Sequence, residues 1–202
     1  VTVSAWEASL PDIDGLVHLT GDPGAIILRR SFGHSLFLLP VWIVGLAWIF
    51  KKKYPDINYP DLLVIVGLSA AGHLLFDLIN SFGVQLLWPF SLMRPELAII
   101  FIIDLILMGL LAAPHLARLS AAWRPKLARM SQAALLVVAV YLIGAFSARQ
   151  RALTLLKREA PGGGFAYSFP EPLGPHRWRG VVKDPGSWRV YLINVARGTV
   201  EK

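Results

Sequence analysis

The chain has 202 residues, of which 55% are hydrophobic and only 16% charged, with a mean hydropathy of +0.55 and a formal net charge of +7. So few charges cannot clothe the surface of a 22.3 kDa globule, which argues against disorder, a coiled coil or an ordinary cytosolic enzyme and favours a membrane protein. Cysteine is absent, so disulfide scaffolds, thiolate zinc sites and cysteine nucleophiles are excluded together, and any metal here must use His, Asp or Glu.

The chain opens on Val1, and Val1 to Leu10 lacks the basic segment and apolar core of a signal peptide, so the reading is a fragment or a processed chain. Residues 1 to 30 form a segment ahead of the first apolar run. Within it, Pro11-Asp12-Ile13-Asp14-Gly15 places two carboxylates one residue apart in a turn. Both can face one cation, since hard and borderline metals take oxygen ligands, or they are a solvated turn. Arg29-Arg30 precedes Ser31-Phe32-Gly33-His34-Ser35 at the mouth of the first apolar run. The arginine pair suits phosphate, of a lipid or a substrate, or simply snorkels to headgroups.

Four apolar stretches follow, and residues 31 to 148 are read as a transmembrane helical domain. Ser31 to Phe50 is stopped by Lys51, Lys52 and Lys53. Pro60 to Ser81 is interrupted by Asp61, His73 and Asp77. Leu97 to Ala113 carries Asp104, and Ser131 to Ala148 holds no charge. Lysines at 51 to 53 and four basic residues between 114 and 130 mark those two loops as cytoplasmic, although Arg149, Arg151, Lys157 and Arg158 after the fourth stretch oppose that orientation.

His73 and Asp77 lie four apart, so a helix presents both on one face, where they can grip one metal ion or each other. A carboxylate inside an apolar span costs about 2.5–3.5 kcal/mol on insertion scales and needs a partner. Asn80 lies one further turn along and can orient a ligand or water. Asp104 falls under the same desolvation argument. By span parity, Asp12, Asp14, His34, His73, Asp77 and Asp104 all fall toward one membrane face, which argues for a shared site.

Residues 149 to 202 carry a net charge of +6 against +1 for the rest, so the basic excess belongs to the tail. Without a basic-aromatic binding motif, this charge reads as membrane-surface and not nucleic-acid chemistry. Gly162 to Gly164 is read as a linker. Trp178 to Lys183 and Ser187 to Val195 alternate like strands around Asp184-Pro185-Gly186, predicting a small β-hairpin. The fold class is therefore mostly α, a multi-pass bundle of about four helices with a C-terminal hairpin extension after a basic linker.

Taken together, Leu10-Pro11-Asp12-Ile13-Asp14, His34-Ser35, His73 to Gly83, Pro89-Phe90 and Ile102-Ile103-Asp104 resemble the bacterial inner-membrane metal-dependent hydrolase family typified by YdjM and YbcI. That family is in turn distantly similar to zinc-dependent phospholipase C, an all-helical enzyme with His and Asp ligands. The resemblance implies a multi-pass inner-membrane hydrolase. Two departures stand out. The family's opening helix with a Thr-His pair has no counterpart after Val1, and Arg29-Arg30 replaces a common His-Arg. Arginine does not ligate metal, which leaves His34 and His73 as the site histidines.

The expectation is a divalent metal, with Zn²⁺ the favoured ion, held by Asp12, Asp14, His34, His73, Asp77 and Asp104. Asp14 or Asp77 would take the proton of an activated water, and Arg30 and Asn80 would contact a phosphoester or other ester of a lipid-like molecule. Two rival readings are a small transporter or proton relay built on Asp77 and Asp104, and a non-catalytic membrane protein with a vestigial site.

Overall fold

The computed structural model describes residues 11–21, 27–160 and 164–202. The readings made for Val1 to Leu10 and for Gly162 and Gly163 lie outside the described residues. The chain divides into two units, Val1–Leu97 and Ala98–Lys202.

In the first unit, Pro11–Thr20 forms a 3-10 helix with Asp12 and Asp14 in its first turn, and a short 3-10 turn covers Phe32–His34. Helix α1 follows at Leu39–Lys53 and helix α2 at Tyr59–Ile79. Each begins with proline in its first turn, where the missing N–H costs nothing. Helix α1 ends on Lys51 to Lys53, whose charges complement the negative end of the helix dipole. Lys51 Nζ then donates to the carbonyls of Pro55 (2.7 Å) and Ile57 (2.8 Å), tying down the connection to α2.

The two helices share a core of Ala47, Phe50, Leu62 and Val66. Val41, Val44, Trp48, Val64, Leu68 and Leu75 remain exposed, an apolar outer surface suited to lipid. In lipid, moving apolar surface inward gains little, so close van der Waals packing must hold such a pair together. Small residues at the contact serve that need: Ala47 is fully buried, and a Cβ added to Gly67 would lie 4.0 Å from Ile43.

In the second unit, α3 (Leu105–Ala117) starts at Asp104, whose carboxylate accepts the Leu107 N–H at 2.9 Å as an N-cap. Helix α4 (Leu127–Arg158) runs ten residues beyond the predicted end of the fourth apolar stretch. Arg149, Arg151, Lys157 and Arg158 are therefore helical and not linker residues. The extension has a packing reason. Ala152 and Leu156 are fully buried against Trp178, Val182, Tyr191, Ile193 and Val195 of the tail.

That tail is a four-stranded antiparallel meander, β1 (Ala166–Glu171), β2 (Gly174–Asp184), β3 (Ser187–Asn194) and β4 (Thr199–Glu201), in place of the predicted lone hairpin. The predicted turn joins β2 to β3, with Pro185 followed by Gly186 at φ +89°, a left-handed position that favours glycine. Gly180 lies under α4: a Cβ there would meet Leu156 Cδ1 at 2.5 Å, so its bare backbone lets helix and sheet touch.

Among the described residues, two helices are long and apolar enough to cross a membrane, Tyr59–Ile79 and the run Arg124–Arg158. The expectation of about four spans is thus reduced to two clear candidates. Helix α1 has 15 residues, about 22 Å at 1.5 Å each, short of a core of about 30 Å. The third stretch is shortened because Asp104 caps a helix that starts only at Leu105.

Candidate metal centre

The 3-10 turn at Phe32–His34 carries the His34 side chain into the interior of the first unit, where it is fully buried. Its Nδ1 lies 2.8 Å from Asp14 Oδ2, and the Ser31 N–H donates to the same oxygen at 2.8 Å. A carboxylate on Nδ1 favours the proton there, and in that tautomer the Nε2 lone pair is free. That lone pair faces His73 Nε2 at 3.2 Å, Asp77 Oδ2 at 2.9 Å and Asp12 Oδ1 at 3.9 Å. His73 and Asp77 come from adjacent turns of α2, with Nε2 and Oδ2 3.4 Å apart. Asp12 Oδ1 is also 3.9 Å from His73 Nε2.

One ligand atom from each of Asp12, His34, His73 and Asp77 therefore falls within 4.8 Å of all the others. Two imidazole nitrogens and a carboxylate oxygen at such separations repel unless a proton or a cation lies between them. Asp77 Oδ2 is buried and takes no hydrogen bond among the described residues, despite its closeness to His34. Four donors around a divalent ion at about 2.0–2.1 Å sit roughly 3.3 Å apart, a spacing bracketed by those found here. The residues present fit a divalent cation, and a mixed nitrogen and carboxylate set suits transition metals.

The other Asp77 oxygen is held from the opposite side. Arg30 Nη2 lies 2.9 Å from Oδ1, and Asn80 Nδ2 donates to it at 3.3 Å. Arg30 Nη1 donates to Asn80 Oδ1 at 2.9 Å, and Asn80, the C-cap of α2, also accepts the Phe82 N–H. Arg30 is 5% exposed and adopts φ +58°, and its carbonyl accepts the Gln85 N–H at 2.9 Å. A non-glycine residue in this region costs on the order of 1–3 kcal/mol, sustained because both ends of Arg30 are tied. Burial pulls the Arg30 guanidinium below its ordinary pKa, against the raising effect of Asp77.

These contacts revise the sequence reading in three places. Arg30 and Asn80, expected to contact substrate, are committed to Asp77 and to each other. Asp14, expected both as a ligand and as a base, stands behind His34 and reaches the cluster through it. Asp104 is not among the clustered residues: its two oxygens accept the Leu107 N–H and the Tyr141 hydroxyl, the latter at 2.6 Å, inside the second unit. The cost of desolvating Asp104 is met by a helix terminus and a phenol instead of a metal. Arg94, absent from the expected site residues, donates from Nη2 to the Arg29 carbonyl at 2.6 Å and so braces the backbone next to Arg30. The available signal was its being the one charge in the loop from 83 to 95.

The profile of the YdjM inner membrane protein family matches residues 1–152. The chain belongs to that family. The match includes the whole His-Asp cluster, and the YdjM family places the chain at the inner membrane, in keeping with its two candidate spans. Among curated proteins, this YdjM family member is similar to the uncharacterized protein YfhP of Bacillus subtilis, with 31% identity over 81 residues. The similarity covers 40% of this chain and 25% of YfhP, so the chain spans about a quarter of that relative's length. No solved structure matches, and the distant likeness to zinc-dependent phospholipase C remains an expectation from the sequence.

Proposed function

We propose that the chain is a membrane-bound metal-dependent hydrolase that cleaves a phosphoester or other ester of a lipid-like substrate, with Zn²⁺ as its ion. The observation that carries this reading is the meeting of His34 Nε2, His73 Nε2 and a buried Asp77 Oδ2 that takes no hydrogen bond among the described residues. His34, His73 and Asp77 would hold the ion, and three protein ligands are the usual number where chemistry needs an open position. When bound, such an ion lowers the pKa of water and polarises the scissile group.

The remaining work falls to side chains of this unit. Asp12, the most exposed member with a side chain 54% accessible, lies 3.9 Å from both imidazoles and receives the proton released from water at Oδ1. Asp14 keeps the Nδ1 proton on His34. Arg30 and Asn80 hold Asp77 Oδ1, so that Oδ2 stays turned to the cluster. A proton relay through Asp77 and Asp104 is less well supported, because Asp104 is fully engaged by Tyr141 and Leu107.

Elemental analysis of the purified chain tests the reading. The expected result is stoichiometric zinc in the wild type, its loss in Asp77→Ala, and metal-dependent release of product from a phosphodiester or ester probe. Equal metal in Asp77→Ala and wild type overturns it.

A further inference from the structure

Beside the His-Asp cluster, three guanidinium groups surround a single ring. The central carbons of Arg29, Arg30 and Arg94 lie 5.2, 5.1 and 5.1 Å from the centroid of Phe82. The three are therefore within about 10 Å of one another, and stacking on one ring does not cancel the repulsion of three like charges at that range. Asp77 answers Arg30, while Asp14 and Glu96 offset part of the field at Arg94.

The group is built with care for position. Arg94 Nη2 donates to the Arg29 carbonyl at 2.6 Å, which joins the loop from 83 to 95 to the segment ahead of His34. Gly83, at φ +73°, lets the backbone pass Arg94: a Cβ there would stand 3.1 Å from the Arg94 carbonyl oxygen and 3.2 Å from its Cβ. The buried Nε atoms of Arg30 and Arg94 have no hydrogen-bond partner among the described residues, and Arg30 as a whole is 5% exposed.

We propose that Arg29 and Arg94, stacked on Phe82 at the border of the His-Asp cluster, form a subsite for a phosphate oxyanion. Guanidinium forks match phosphate oxygens in pairs, and with Arg30 already paired to Asp77 a phosphate here supplies negative charge to the forks of Arg29 and Arg94. Arg30, bonded to Asp77 Oδ1 at 2.9 Å, links this subsite to the cluster. As a place for the substrate's phosphate, the assignment rests on the hydrolase reading. As a binding site, it stands by itself.

The test is calorimetric titration of the full chain, in phosphatidylcholine nanodiscs, with inorganic phosphate, with bound metal measured on the same samples. Wild-type protein binds phosphate. Arg29→Gln/Arg94→Gln weakens that binding by about tenfold or more with unchanged metal, and Arg29→Lys/Arg94→Lys recovers part of it. Arg29→Gln alone, which leaves the Arg94 bond to the Arg29 carbonyl in place, gives a smaller loss in the same direction. Nanodiscs doped with phosphatidic acid separate the sources. A response abolished by doping points to a lipid headgroup and a retained one to a soluble phosphate, and either supports the subsite. Equal phosphate affinity in the double glutamine variant and wild type, or no phosphate binding in wild type, overturns it. Wild-type protein that binds phosphate but holds no metal sinks the hydrolase reading and leaves the subsite standing.

Discussion

Asp14 Oδ2 sits 2.8 Å from Nδ1 of a fully buried His34 and takes the Ser31 N–H as well, so one carboxylate decides which nitrogen of that ring is free. The consequence is measurable without any substrate. Replacing Asp14 by Asn keeps the shape but removes the charge that holds the Nδ1 proton, and outer-shell partners of this kind are worth about 10–100-fold in metal affinity. Chelator competition on Asp14→Asn should show a loss in that range. Affinity equal to wild type would mean that His34 needs no such orientation.

Asp12 and Asp77 should separate cleanly. Asp77→Asn removes the anionic oxygen closest to His34 Nε2 and leaves Arg30 buried without its carboxylate, so metal and activity are expected to disappear together. Asp12→Asn removes an exposed carboxylate 3.9 Å from either imidazole, so metal content should hold while turnover falls by about 10²–10⁴-fold, the usual worth of a general base. Metal analysis beside a turnover assay checks both. Loss of metal in Asp12→Asn would instead make Asp12 a ligand.

How far the site was legible in the sequence follows from what helical periodicity can carry. His73 and Asp77 were readable because four residues bring two side chains to one helix face whatever the tertiary fold. Asp12 and Asp14 were not separable, since the rotation of a 3-10 turn decides which carboxylate faces the histidines and which lies behind. The desolvation argument found Asp77 and Asp104 alike but was blind to the kind of partner, which for Asp104 is a Tyr141 hydroxyl far along the chain. In the tail, the alternation of β2 and β3 was plain. Strand β1 contains Pro170 and β4 has three residues, too little pattern to read before the sheet assembles them.

The turn between β2 and β3 predicts an acid-sensitive sheet. Arg189 hydrogen-bonds both oxygens of Asp184, with Nη2 at 2.8 Å from Oδ1, and this holds the Asp184 carboxyl below its ordinary pKa. A carboxyl depressed in the folded state contributes stability that is present above its unfolded value of about 3.9 and is lost as pH falls through the folded value. Trp188, paired across the strands with Lys183, reports on the turn. Its fluorescence in an acid titration should show a transition below about pH 4 that is absent from Asp184→Asn.

Gly180 sets the distance between helix and sheet in the second unit. Gly180→Ala places a methyl 2.5 Å from Leu156 Cδ1 and 3.0 Å from Ile193 Cδ1, both on buried side chains with little room to turn. Overpacking of this size costs about 1–3 kcal/mol. Thermal unfolding in detergent should show the loss, and Leu156→Val in the same chain should restore part of it. Independent, additive effects of the two substitutions would mean that the clash is relieved elsewhere.

Asp104 provides the control that keeps the two buried carboxylates apart. It follows a turn at Ile102 and Ile103, caps α3 through the Leu107 N–H and receives the Tyr141 hydroxyl from α4, so it joins two helices of its own unit. Asp104→Ala removes an N-cap worth about 0.5–2 kcal/mol and leaves a half-buried hydroxyl without its acceptor. Lower thermal stability with unchanged metal content is the expected result, and Asp104→Asn should recover much of the stability because an amide oxygen still caps the helix. A drop in bound metal alongside intact stability would return Asp104 to the ligand set that its place in an apolar stretch first suggested.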